Sequence, residues 1–182
     1  MRKFAVVTLI SLFALMAFAQ QQDKSKRPSP PGTASVTFKD GKTITVDYSR
    51  PKINDPKTGQ VRKIYGGLVP YGKEWRTGAN EATSFVTTAD LMVGEIHVPA
   101  GKYTLYTIPN EGDWTIIINK QTGQWGTDHD EKQDLGRTKV KSSKTPSTVQ
   151  QFTISFNKTG DKKADMVLDW ENTRVTVPIL EH

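Results

Sequence analysis

The chain has 182 residues, with 25 Lys and Arg against 19 Asp and Glu, a formal net charge of +6, and no cysteine. That composition excludes a disulfide scaffold, thiol catalysis and cysteine-ligated zinc, so stability must come from packing. Basic residues are scattered among acids rather than gathered on one helix or patch, which argues against a nucleic-acid partner.

In chain order, the first feature is an export signal. Arg2 and Lys3, an apolar run over residues 4–18, and the small residues Ala17 and Ala19 around Phe18 form an n-region, an h-region and an A-x-A cleavage site. Residues 1–19 therefore read as a cleavable signal peptide. The run is shorter than the roughly 20 residues a spanning helix needs, and Gln20, Gln21, Gln22 and Asp23 bring no positive cluster after it. No cysteine stands where a lipid would be attached. The mature protein is thus expected to be secreted or periplasmic, without a transmembrane segment. Loss of Arg2 and Lys3 leaves 23 basic against 19 acidic side chains, a net charge of +4.

Residues 20–32 are polar and punctuated by proline, and read as a flexible tether. Residues 33–182 read as a single domain, long enough for one well-filled core. Ile44, Val46 and Tyr48 alternate with Thr43, Thr45 and Asp47, the signature of a strand with one buried face. Further strands are expected at residues 34–38, 82–87, 95–98, 103–108 and 137–141. Trp114, Ile116 and Ile118 share one face while Ile117 takes the other, which predicts a central strand covered on both sides. Phe152, Ile154 and Phe156 alternate again. Met166, Leu168 and Trp170 do so up to Glu171 and Asn172, and Val175, Val177 and Ile179 after them. That pattern predicts a tight hairpin with Asn172 in a left-handed turn position. The whole predicts an all-β fold, an antiparallel β-sandwich (jelly-roll-like) of about eight to ten strands. A long loop, residues 51–80, separates the second and third strands. A second polar segment, residues 120–136, is the other place where a site could be built.

Several strings carry a family likeness. They are Tyr-Ser-Arg-Pro at residues 48–51, Ile-Tyr-Gly-Gly-Leu-Val-Pro-Tyr-Gly at 64–72, and Trp-Arg-Thr-Gly-Ala-Asn-Glu-Ala-Thr at 75–83. The likeness continues through residues 99–109, 114–119 and 125–128. The chain resembles a family of secreted bacterial proteins known as domain of unknown function number twenty-nine-eleven, over nearly the whole mature length. His129 departs from the aromatic residue expected there, so the resemblance assigns it no role. It implies a secreted domain and supplies no reaction.

Candidate ligand-binding residues are Tyr48, Arg50, Trp75, Arg76, Asn80 and Glu81. An arginine grips a carboxylate or phosphate bidentately, a tryptophan stacks on a ring, and an amide fixes orientation. The competing reading is a latch: Arg76 pairs with Glu81 or Asp47, Gly78 and Asn80 supply unusual backbone angles, and Trp75 fills the edge of the core. No cofactor is expected. No metal site is expected either, with Asp128, Asp130 and Asp134, beside His129 and Glu131, as the weak alternative for calcium. The EF-hand pattern fails there, lacking the sixth-position glycine and the twelfth-position glutamate. Zinc is disfavoured because the other histidines, His97 and His182, lie elsewhere. No Gly-x-Ser-x-Gly elbow or phosphate-cradling loop is present. The sequence therefore points to a secreted domain binding a polar or anionic, carbohydrate-like ligand. The alternatives are an enzyme acting on extracellular or cell-envelope carbohydrate, and a structural or protein-interaction domain.

Overall fold

The computed structural model describes residues 23–182, and the expected signal peptide lies outside them. Nine strands follow in order: β1 (Pro31–Thr37), β2 (Thr43–Ser49), β3 (Thr83–Thr87), β4 (Leu91–Val93), β5 (Ile96–Val98), β6 (Gly101–Ile108), β7 (Asp113–Asn119), β8 (Asp134–Gly160) and β9 (Lys163–Glu181). Two short 3-10 turns, Lys24–Lys26 and Glu131–Gln133, complete the regular structure of these residues. Among the described residues no helix is long and apolar enough to cross a membrane. The fold is all-β, as expected, and every strand pairing is antiparallel. The strands form one sheet in the order β1-β2-β3-β6-β7-β8-β9-β4-β5.

Alternation decides which side chains are buried. On β2, Ile44, Val46 and Tyr48 are buried while Asp47 is exposed, and Val46 stands opposite Ala34 of β1 and Phe85 of β3. On β7, Trp114, Ile116, Ile117 and Ile118 are all buried, because β6 and β8 flank the strand and both of its faces are covered.

The strand β8 runs 27 residues and serves two neighbours. Its first part pairs with β7 and its remainder with β9. The β2 side of the strand order folds back onto β8 here. The Tyr48 hydroxyl accepts from the Ile154 backbone N–H at 2.8 Å and donates to the Ile154 carbonyl at 3.3 Å. Lys52 forms a backbone bridge to Gln151. Between these segments sits an aromatic cluster. Trp75 stacks on Trp170 with centroids 5.8 Å apart, and meets Phe152 edge-on at 4.9 Å and Trp114 at 6.3 Å. Tyr65 packs edge-on against Trp114 at 5.1 Å. Such pairs each contribute about 0.5–1.5 kcal/mol beyond the area they bury.

Three expectations are corrected. No hairpin occurs at Glu171 and Asn172: β9 passes straight through, and the reversal lies between β8 and β9 at Asp161. Glu171, not Asn172, is the left-handed residue, with φ 55. Left-handed backbone within a strand, opposite bulges in β8, rotates the chain so that the buried face swaps from even to odd positions. The first strand opens at Pro31 rather than at residue 34, and the strand expected at residues 137–141 is part of β8, which starts at Asp134.

Candidate functional site

The long segment between β2 and β3 holds no regular strand, only isolated bridges from Lys52, Asn54, Tyr65 and Trp75. Its interior is fixed by polar contacts. Trp75 donates Nε1–H to the Gly78 carbonyl at 3.0 Å, and its backbone bridges Thr107 of β6. Thr77, fully buried at φ 51, donates from its hydroxyl to Thr107 Oγ1 at 3.1 Å, and Thr83 donates to the Thr77 carbonyl at 2.8 Å. Gly78 is required by close approach: a Cβ there would meet the Ser49 carbonyl oxygen at 2.9 Å.

The segment and the residues before β1 enclose a cleft of about 580 Å³. Arg27, Lys52, Arg62 and Arg76 are among its lining residues, and Asp55 is the one acid. Asp55 is occupied: its carboxylate accepts from the backbone N–H groups of Lys57 and Thr58, which hold it below its ordinary pKa. Arg62 donates to the Ile53 and Lys52 carbonyls. Arg76 donates through Nη1 to the Asn80 carbonyl at 3.1 Å and has no carboxylate within 4.0 Å among the described residues. Its aliphatic stem crosses Gly126, where any Cβ would collide with it.

The six candidate residues are thus separated by role. Trp75 and Arg76 line the cleft. Trp75 is mostly buried in the aromatic cluster, so it forms a wall rather than a stacking platform. Tyr48 is buried against β8, as described. Arg50 donates from Nε to the Phe152 carbonyl at 3.2 Å and from Nη2 to Thr153 Oγ1 at 2.9 Å, with its stem over Gly32. It ties β2 to β8 and is absent from the cleft lining. Asn80, at φ 61, donates from Nδ2 to the Ser29 carbonyl and Ser49 Oγ. Glu81 pairs with Arg27 and Lys24 rather than with Arg76. Burial works against ionisation of Glu81, but hydrogen bonds from Arg27 and then Lys24 outweigh it and lower the carboxyl to about 2.

The three aspartates of the second loop do not form a common site. Asp128 is exposed, and Asp130 caps the 3-10 turn by accepting from Lys132 N–H and Gln133 Nε2. Asp134 accepts from Asn119, His129 and Arg137. Sequence reasoning missed Arg27, Lys52 and Arg62, which carry no motif of their own and reach their positions only through tertiary folding. Glu74 lies against His129 Nδ1, and His129 Nε2 stands 2.8 Å from Asp134 Oδ1.

An all-β domain with an irregular, cation-lined loop is the class these observations define. The family model DUF2911, described as a protein of unknown function, matches residues 29–179, and the chain belongs to that family. Comparison with curated proteins and with solved structures gives no significant match.

Proposed function

We propose that this chain is an exported β-sandwich domain that binds a small anionic ligand, one carrying a carboxylate, phosphate or sulfate, in the cleft between the residue 51–80 segment and the residues preceding β1. The observation that carries the reading is Arg76. Arg76 lines the cleft, and among the described residues its guanidinium has a single carbonyl partner and no carboxylate, so donors remain for a ligand. Lys52 and Arg62 add positive charge, and the one acid of the lining is already satisfied by a turn. A cleft of this volume suits a small molecule, and the apolar wall from Trp75, Trp170 and Leu68 would cover its ring or body. Export rests on the n-, h- and cleavage-site pattern of residues 1–19.

The test is calorimetric titration with a panel of sugar acids, sugar phosphates and sulfated sugars. The expected result is binding by at least one class that Arg76→Ala weakens at least tenfold and added salt weakens further, while Arg50→Ala leaves it unchanged. Affinity indifferent to Arg76→Ala overturns the reading.

A further inference from the structure

Beside the cleft, three segments bring nitrogen and oxygen donors together. Glu74 comes from the long segment, His129 from the second loop and Glu131 from the 3-10 turn before β8. One ligand atom from each lies within 4.8 Å of the others. We propose that Glu74, His129 and Glu131 form a site for one divalent transition-metal ion of the zinc or manganese kind.

The imidazole supplies the first argument. The His129 side chain is 5% exposed, and both of its nitrogens face carboxylates: Nε2 faces Asp134 and Nδ1 faces Glu74. Asp134 is itself anchored by Asn119 Nδ2 at 2.8 Å and by Arg137. Its salt bridge to Arg137 at 2.6 Å and the bond from Asn119 present an ionised carboxylate to the imidazole. An ionised acceptor at that place selects the tautomer with hydrogen on Nε2. The Nδ1 lone pair then points at the Glu74 carboxylate, and two acceptors in contact require a positive species between them, a proton or a metal ion. A carboxylate behind a histidine that ligates through its other nitrogen is the orienting arrangement of many metal sites.

Charge supplies the second argument. Glu74, Glu131 and Asp134 can carry three negative charges, and among the described residues Arg137 is the one guanidinium paired with them. The net surplus matches a divalent cation. Like charges crowd here, because carboxylate oxygens of Glu74 and Glu131 lie within 4.8 Å of one another. An ion would relieve that repulsion. One imidazole nitrogen with two carboxylate oxygens suits zinc or manganese, whereas calcium needs six to eight oxygens. Ligands on zinc stand roughly 3–4 Å apart, so Glu131, whose side chain is 75% exposed, would have to turn inward to close on the ion. Glu74 and Arg76 also line a second cleft of about 270 Å³.

The experiment is calorimetric titration of Zn²⁺ and Mn²⁺ into the chelator-treated mature protein, with metal content measured after dialysis and no anion present. The expected result is one equivalent bound, weakened at least tenfold by Glu74→Gln and by Glu131→Gln, and 10–100-fold by Asp134→Asn. Glu131 is exposed, so its variant tests the site without disturbing the fold. Histidines 97 and 182, with ring centroids 5.8 Å apart, form the obvious competitor for zinc. Zinc binding lost in His97→Ala but retained in Glu131→Gln overturns the proposal, as does failure of both ions to bind. Failure here leaves the anion reading standing, because Arg76→Ala and Glu131→Gln report on separate contacts.

Discussion

The Arg27 guanidinium donates through Nη1 to both oxygens of the Glu81 carboxylate, at 2.9 Å each. This pair ties the residues before β1 to the entrance of β3, and so holds one wall of the cleft in place. Its pH dependence follows from the sign of the shift. The folded carboxyl is lowered from 4.5 to about 2, so the pair stabilises fully above pH 4.5 and is lost as pH falls through 2. The melting temperature of Glu81→Gln is expected to lie below that of the unmodified protein at pH 6, with the gap closing between pH 4.5 and 2. A constant gap would show that Arg27 is held by other contacts.

The two arginines of the family strings are expected to behave oppositely. Arg50→Ala removes charge-assisted bonds to Phe152 and Thr153 and lowers stability by about 2–3 kcal/mol in urea unfolding, leaving anion affinity intact. Arg76→Ala costs far less stability and removes anion affinity. Equal effects on both measurements would contradict the division of roles.

A substitution without charge should also impair the cleft. A Cβ on Gly126 would collide with the Arg76 stem and meet the Asn80 carbonyl oxygen at 2.8 Å. Backbone oxygen cannot move aside cheaply, so Gly126→Ala must displace Arg76. Anion affinity is expected to fall several-fold while net charge stays constant, which calorimetry can measure directly.

Trp75 carries the heaviest structural burden of the long segment. Trp75→Ala is expected to destabilise by about 3–5 kcal/mol, because it removes the stack on Trp170, the edge contacts with Phe152 and Trp114, and the bond to Gly78. Equilibrium urea unfolding checks the value, and a loss below 1 kcal/mol would mean the cluster repacks around the gap.

Much of the strand pattern was legible because its cause is local. Alternation along Ile44, Val46 and Tyr48, and double-sided burial at Trp114 to Ile118, are direct records of which faces are covered. The swap between Trp170 and Val175 was legible too, but ambiguous. A turn and a left-handed residue inside a strand both interrupt alternation with polar residues, and Glu171 is the second kind. The three-residue β4 was too short to show a period, and the polar part of β8 near Ser142 has no apolar partner face to reveal it. At the site, position 76 announced itself by its motif. That Glu81 would choose Arg27, 54 positions away, over a nearby arginine could not be read from spacing, because the choice is made by the path of the residues before β1.

The strand order also has two ends, and what stands there governs how the molecule meets its own kind. One edge is β5, three residues long, and the other is β1, which opens on Pro31 after Pro28 and Pro30. A three-residue edge offers a neighbouring chain too few hydrogen bonds to nucleate a ladder, and prolines remove donors from the other. A domain without disulfides would meet concentration and heat with both sheet borders blunted. Light scattering just below the melting temperature should therefore stay flat, and substitution of Pro30 and Pro31 by threonine should make it rise.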